Sequence, residues 1–199
     1  MTTAKVVQER VFFPYTLFLD SAQQFCGEMK RKKYVSWYDL LAAVTLLALS
    51  VEALANTIGE LIVSDFKDFE SSSPKAKIRL ICERAGVPFN RNKTPLVEVI
   101  HLLKVRNQLA HPKYQTLRYE SKAMPLKDAQ RHYRELGDVL HDIEKSLTPE
   151  MAYQTLNAVL NLEQMLRATL SPEIVQSSSK RLVICDQDIS EKRPGKSTT

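Results

Sequence analysis

The chain has 199 residues, which is enough for one domain with a sizeable core, or for one domain with an appendage. Hydrophobic residues make up 44% of it and charged residues 26%, the composition of an ordinary soluble globular protein. The formal net charge of +5 permits an anionic partner without requiring one. Five glycines against nine prolines, which stand mostly near predicted helix boundaries, favour helices over sheets.

The cysteines and the apolar runs of the sequence indicate the cellular compartment in which the protein is expected. Cys26, Cys82 and Cys185 are far apart and odd in number, so neither a disulfide framework nor a zinc site is expected. Residues 1–10 lack the apolar core of a signal peptide. The longest apolar run, residues 40–49, is well short of the roughly 20 residues needed to cross a bilayer. We therefore expect a cytoplasmic protein with no membrane association.

Amphipathic segments that begin with capping residues or prolines predict six helices. Their starts lie, in chain order, near Pro14, Ser36, Pro74, Pro95, Pro125 and Pro149. The second is apolar on most sides and should be central, while the fifth carries apolar residues in a three-four alternation typical of a coiled-coil seam. The predicted architecture is an all-α antiparallel bundle of five to six helices over residues 1–171, with a polar, flexible tail over 172–199. Residues 182–185 could form a short strand, but the flanking serines and basic end favour the tail.

The end of the fourth helix, residues 105–112, carries the strongest functional signal. The apolar positions upstream share a three-and-four spacing: Leu96, Val99, Ile100 and Leu103. Continuing that spacing predicts that Arg106, Asn107 and Ala110 face inward. A buried guanidinium needs an internal partner, a facing subunit or a bound anion, because burying it unpaired costs several kcal/mol. His111 should end the helix, since Pro112 disfavours α conformation in the residue before it.

The pattern Arg106-Asn107-x-x-x-His111, late in a helix that follows a long apolar helix, resembles the signature of the HEPN domain (higher eukaryotes and prokaryotes nucleotide-binding). That signature is an arginine, four to six residues and a histidine, often with a polar residue directly after the arginine. The resemblance covers residues 14–147, including residues 50–56 in the family's second helix. A second spacing match, Arg134 to His141, lacks both the amide and the helix-ending proline. Many family members are metal-independent ribonucleases that act as dimers, whereas others only bind.

The resemblance implies a catalytic set. Cleaving RNA without a metal needs a base for the 2′-hydroxyl proton and a cation for the charge on phosphate, roles that suit His111 and Arg106. By family analogy, Asn107 orients the phosphate or the histidine, and two subunits form the site together. Glu52 and Asn56, four residues apart in the apolar second helix, are expected to support it, with Glu52 as the candidate partner of Arg106. We expect no metal site and no cofactor.

The segment after the motif interleaves cations with aromatic residues, as a single-strand RNA surface does: Lys113, Tyr114, Arg118 and Tyr119. A solvated linker is the alternative interpretation. The expected partners are single-stranded RNA as substrate, a second copy of the chain and an antitoxin protein, since the resemblance implies a toxin–antitoxin or phage-defence setting. Two alternatives stay open: a non-catalytic module that binds RNA or nucleotide, and a helical dimeric interaction protein whose Arg-Asn-His cluster is internal.

Overall fold

The structure, a computed structural model, describes residues 5–9, 12–111, 114, 116, 118, 120–135, 142–172 and 181–185. For residues 5–9, 133–135, 142 and 181–185 the description is of the backbone. The chain divides into two compact units, Pro14–Thr169 and Met1–Phe13 with Leu170–Thr199. The expected division was 1–171 and 172–199, so the C-terminal boundary lies two residues from the expected one. Residues 5–9 and 12–13 group with residues 170–172 and 181–185 instead of with the helices.

The larger unit is helical, which confirms the all-α class. Its described residues form seven α-helices: α1 (Pro14–Arg31), α2 (Trp37–Ile62), α3 (Pro74–Arg84), α4 (Leu96–Ala110), α5 (Leu126–Glu135), α6 (Asp142–Ser146) and α7 (Pro149–Arg167). A short 3-10 helix spans Phe66–Phe69. The count exceeds the expected five to six because the segment predicted as one helix contains both α5 and α6. Residues 136–141, where the predicted seam would continue, lie outside the described residues.

Local capping explains where the helices begin. Ser36 and Asp39 form a capping box, in which the Ser36 hydroxyl accepts from the Asp39 backbone N–H and the Asp39 carboxylate accepts from the Ser36 N–H. Ser73 and Thr148 accept from backbone N–H groups at the starts of α3 and α7 in the same way. Helix α4 has no such cap, and the hydroxyl of Thr94, directly before its first turn, donates to the Glu98 carboxylate at 2.7 Å.

Helix α2 is the centre of the unit, as predicted. It packs against α1, α3, α4 and α7, and α7 also packs against α4 and α1. By length and composition alone α2 could cross a membrane, although the apolar run inside it looked too short. Half of its most apolar stretch is buried inside the structure, and the core helix of a protein with no membrane contact meets the same criterion.

The end of α2 is fixed by a close approach. The ring of Phe66, in the 3-10 helix, lies against Gly59, and a Cβ at position 59 would overlap that ring. Phe66 is buried. The absence of a side chain at position 59 therefore lets the Phe66 ring lie against α2.

The smaller unit contains a two-stranded antiparallel sheet. Strand β1 (Lys5–Glu9) pairs with strand β2 (Arg181–Cys185), with Lys5 opposite Cys185 and Glu9 opposite Arg181. The expectation of a flexible tail is therefore wrong for residues 181–185, because the β-branched residues there find a second strand with which to satisfy their backbone groups. Residues 173–180 and 186–199 lie outside the described residues.

Candidate functional site

Helix α4 presents a buried face that differs from the predicted one. The fully buried positions are Leu96, Val99, Leu102, Leu103 and Val105. Ile100 is half-buried, and Asn107 and Ala110 are exposed, so the prediction that Asn107 and Ala110 face inward is wrong. Successive residues of a helix are 100° apart around its axis. Arg106 therefore lies at the centre of the buried face of α4, and Asn107 lies at one edge of that face. In the last turn of α4 no other described part of the chain packs over that edge, so Asn107 is exposed.

Arg106 reaches across to the central helix. Its Nη2 donates to Oε2 of Glu52 at 2.9 Å, and its Nη1 donates to Oδ1 of Asn107 at 3.2 Å. Glu52 is therefore the partner that the sequence suggested. The side chains of Arg106 and Glu52 keep 31% and 32% of their surface exposed, so the pair sits at the rim of the α2–α4 contact and is not sealed in the core.

The partial exposure of this ion pair limits its contribution to stability and leaves it accessible to a ligand. An ion pair in contact with solvent contributes at most about 1 kcal/mol to stability, so its net stabilising effect is small. A guanidinium carries five N–H donors in a planar fork, and the described contacts of Arg106 engage two N–H groups. The remaining donors are available to an anion such as a phosphate oxygen, while Glu52 holds the plane of the guanidinium in place.

His111 lies at the end of the same helix. It is the C-cap residue of α4, with φ −126° and ψ 58°, and its backbone N–H donates to the Asn107 carbonyl at 3.0 Å. The prediction that the helix ends at His111 is confirmed. The imidazole is exposed, and within the described part of the chain no hydrogen bond or ion pair joins it to Arg106 or to another group. Pro112 lies outside the described residues.

Asn56 belongs to a different contact. Its Oδ1 accepts a hydrogen bond at 2.8 Å from Nζ of Lys77, on α3, so Asn56 does not join Arg106. Lys77 is 3% exposed, and its Nζ also lies 5.9 Å from the centre of the Phe66 ring. Lys77 is not among the site residues predicted from the sequence. Its position four residues before the buried Ile81, on the inward face of α3, was the available signal.

The expected RNA-binding segment is only partly described. Tyr114 is 96% exposed, and the exposed Arg118 forms an ion pair with Glu120 at 3.6 Å. Lys113 and Tyr119 lie outside the described residues. The charge of Arg118 is therefore balanced within the segment, which weakens the case for a cationic surface there.

Two cysteine side chains that the structure describes, those of Cys26 and Cys82, lie in the core. Cys26 and Cys82 are free and buried, and burial raises the pKa of both thiols above the usual value. Both therefore stay protonated at neutral pH. Within the described ranges, no group of three or more histidine, cysteine, aspartate or glutamate side chains is placed to hold a metal ion.

Comparison of the chain with protein-family models, with curated proteins and with solved structures gives no match.

Proposed function

We propose that the chain is an endoribonuclease of the HEPN type, which cleaves single-stranded RNA without a metal through a site shared by two subunits of a HEPN-like bundle. One observation carries the proposal. Arg106 is held by Glu52 at the rim of the α2–α4 contact with donors to spare, five residues before an exposed histidine that ends the same helix. A fixed cation and a free imidazole are the two groups that this chemistry requires.

In the proposed reaction His111 accepts the proton of a ribose 2′-hydroxyl. The 2′-oxygen then attacks the adjacent phosphorus, and the bond from phosphorus to the 5′-oxygen breaks. The products are a 2′,3′-cyclic phosphate and a 5′-hydroxyl end, which takes up a proton. Arg106 stabilises the charge that develops on the phosphate oxygens, and Glu52 keeps the guanidinium oriented. In the proposed site Asn107, which is exposed beside Arg106, would contact the same phosphate.

The dimer is part of the proposal because the last turn of α4 is uncovered on one side. Asn107, Ala110 and His111 are exposed there, and Arg106 is partly so. A second copy of the chain on this edge would bring two sets of these residues to one cleft and would exclude water from the ion pairs. The HEPN resemblance adds a cytoplasmic toxin–antitoxin or phage-defence setting, with an antitoxin protein as a further partner.

The test is cleavage of a labelled single-stranded RNA by the purified protein in the presence of a chelator. We expect cyclic phosphate ends, and we expect His111→Ala and Arg106→Ala each to lower the rate by a factor of about 100 or more. His101→Ala is the matched control, because His101 is exposed on the same helix. Light scattering should show a dimer for every variant. Cleavage by His111→Ala at the wild-type rate contradicts the proposal.

The second candidate is a module that binds RNA without cutting it. The observation in its favour is that Glu52 neutralises Arg106, as in a structural ion pair. If the protein is a binding module, Glu52→Gln should strengthen RNA binding, because it removes a negative charge beside the guanidinium. If the protein is a nuclease, the same substitution should lower the cleavage rate, because the guanidinium is no longer held in place. Wild-type protein that binds RNA with a steep salt dependence and cuts none supports this candidate.

A further inference from the structure

A second concave surface lies on the outer side of α3, formed by residues that the proposed nuclease site does not use. It is a cavity of about 820 Å³ between α3 and the loop of residues 85–95 that leads to α4. Lys75 and Arg79 line it from the helix, and Phe89 and Arg91 line it from the loop. Cavities of about 300–1,000 Å³ are the usual size of small-molecule sites.

The lining carries an excess of positive charge. Lys75, Arg79 and Arg91 face a single carboxylate, Glu83, and all four residues are exposed. Arg79 and Glu83 are four residues apart on α3, a spacing at which opposite charges commonly pair. In the described part of the chain, however, none of the three cations forms an ion pair. The three cationic side chains are therefore available to bind an anionic ligand.

The cavity also has an apolar wall. Val87 and Phe89 are half-buried, so the Phe89 ring is held by the fold while part of it remains open to the cavity. An aromatic ring beside two guanidinium groups can stack on a flat ring of a ligand while the cations bind its charged groups. Arginine in particular matches the geometry of phosphate oxygens.

We propose that this cavity binds a nucleotide unit, with its phosphates on Arg79, Arg91 and Lys75 and its base against Phe89. A free nucleotide and one nucleotide of a single-stranded nucleic acid both present these groups, a phosphate and a base. The site is separate from the Arg106–His111 site, so it does not depend on whether the protein cleaves RNA.

The test is a binding titration of the full chain with ATP, with inorganic triphosphate and with a short single-stranded oligonucleotide, at two salt concentrations. Arg79→Gln and Arg91→Gln should each weaken binding of all three probes about tenfold and reduce its salt dependence. Phe89→Leu should weaken binding of ATP and of the oligonucleotide roughly tenfold and leave triphosphate binding unchanged. Unchanged triphosphate binding also shows that this variant is folded.

One control separates the site from general surface charge. Arg31→Gln removes an exposed cation at the end of α1 and should leave binding unchanged. Binding of ATP alone supports a free nucleotide, and binding of the oligonucleotide alone supports a strand. The proposal is overturned if no probe binds, if Arg31→Gln weakens binding as much as Arg79→Gln does, or if Phe89→Leu has no effect on ATP.

Discussion

Replacing Asn56 with alanine should destabilise the helical unit by about 2 kcal/mol, because the substitution removes the acceptor of a buried ammonium group. Lys77 is 3% exposed, and Oδ1 of Asn56 at 2.8 Å is its hydrogen-bond acceptor in the described structure. Hydrogen bonds to charged groups contribute about 1.5–3 kcal/mol each. Asn56 itself is half-buried, so water can partly replace its oxygen, which places the expected loss near the middle of that range.

Urea unfolding followed by circular dichroism measures this loss, which corresponds to a decrease in Tm of roughly 4–8 °C for a chain of this size. Lys77→Met supplies the second background, because it keeps the apolar stem and removes the charge. In that background Asn56→Ala should cost less than about 0.5 kcal/mol, a coupling of about 1.5 kcal/mol between the two positions. An equal cost of Asn56→Ala in both backgrounds would refute the reasoning and reassign Asn56 to another role.

Three further predictions concern other contacts. The hydrogen bond from Lys32 lowers the pKa of Asp39 in the folded protein below its ordinary value of 3.8. The stability that ionised Asp39 contributes is therefore present above pH 3.8 and is lost as the pH falls through the pKa of the folded state. Unfolding curves of Asp39→Asn should differ from those of wild type at pH 7 and should converge with them below that pKa. Burial raises the pKa of Tyr15 from 10.0 to about 12, so wild type should lose stability as the pH rises from 10 towards 12, and Tyr15→Phe should not show this loss in alkaline unfolding curves. Gly59→Ala should destabilise the protein by about 1–3 kcal/mol in urea unfolding because its Cβ overlaps the Phe66 ring; a gain in stability would mean that the ring moves away at little cost.

The parts of the fold that sequence analysis predicted are those encoded locally. Helices predicted to start near Ser36, Pro74 and Pro149 do start there, each capped by Ser36, Ser73 or Thr148, since a cap depends on residues three positions away. The end of α4 at His111 was likewise predictable from the proline that follows it. The ion pair of Glu52 and Arg106 was predictable because each is a charged residue on an apolar face that needs a partner.

The parts that were not predicted depend on which elements meet. Asn56 was assigned to the Arg106 site because it lies one turn after Glu52 on the same face of the second helix, but its partner is set by the packing of α3 on α2. Asn107 was assigned inward because Ile100 was counted among the inward positions of α4, whereas Ile100 lies at the edge of the buried face. The pairing of β1 with β2 joins opposite ends of the chain, and local composition carries no signal for that.

The two polar side chains on α2 also restrict how the helices can slide. The hydrophobic effect is non-directional, so apolar packing alone specifies the axial position of a helix less strictly than hydrogen bonds do. Hydrogen bonds are directional, and Glu52 contacts α4 while Asn56, one turn further along, contacts α3. A rotation or axial displacement of α2 that kept one of these bonds would break the other. Together these two contacts favour one axial alignment of α2 with α3 and α4.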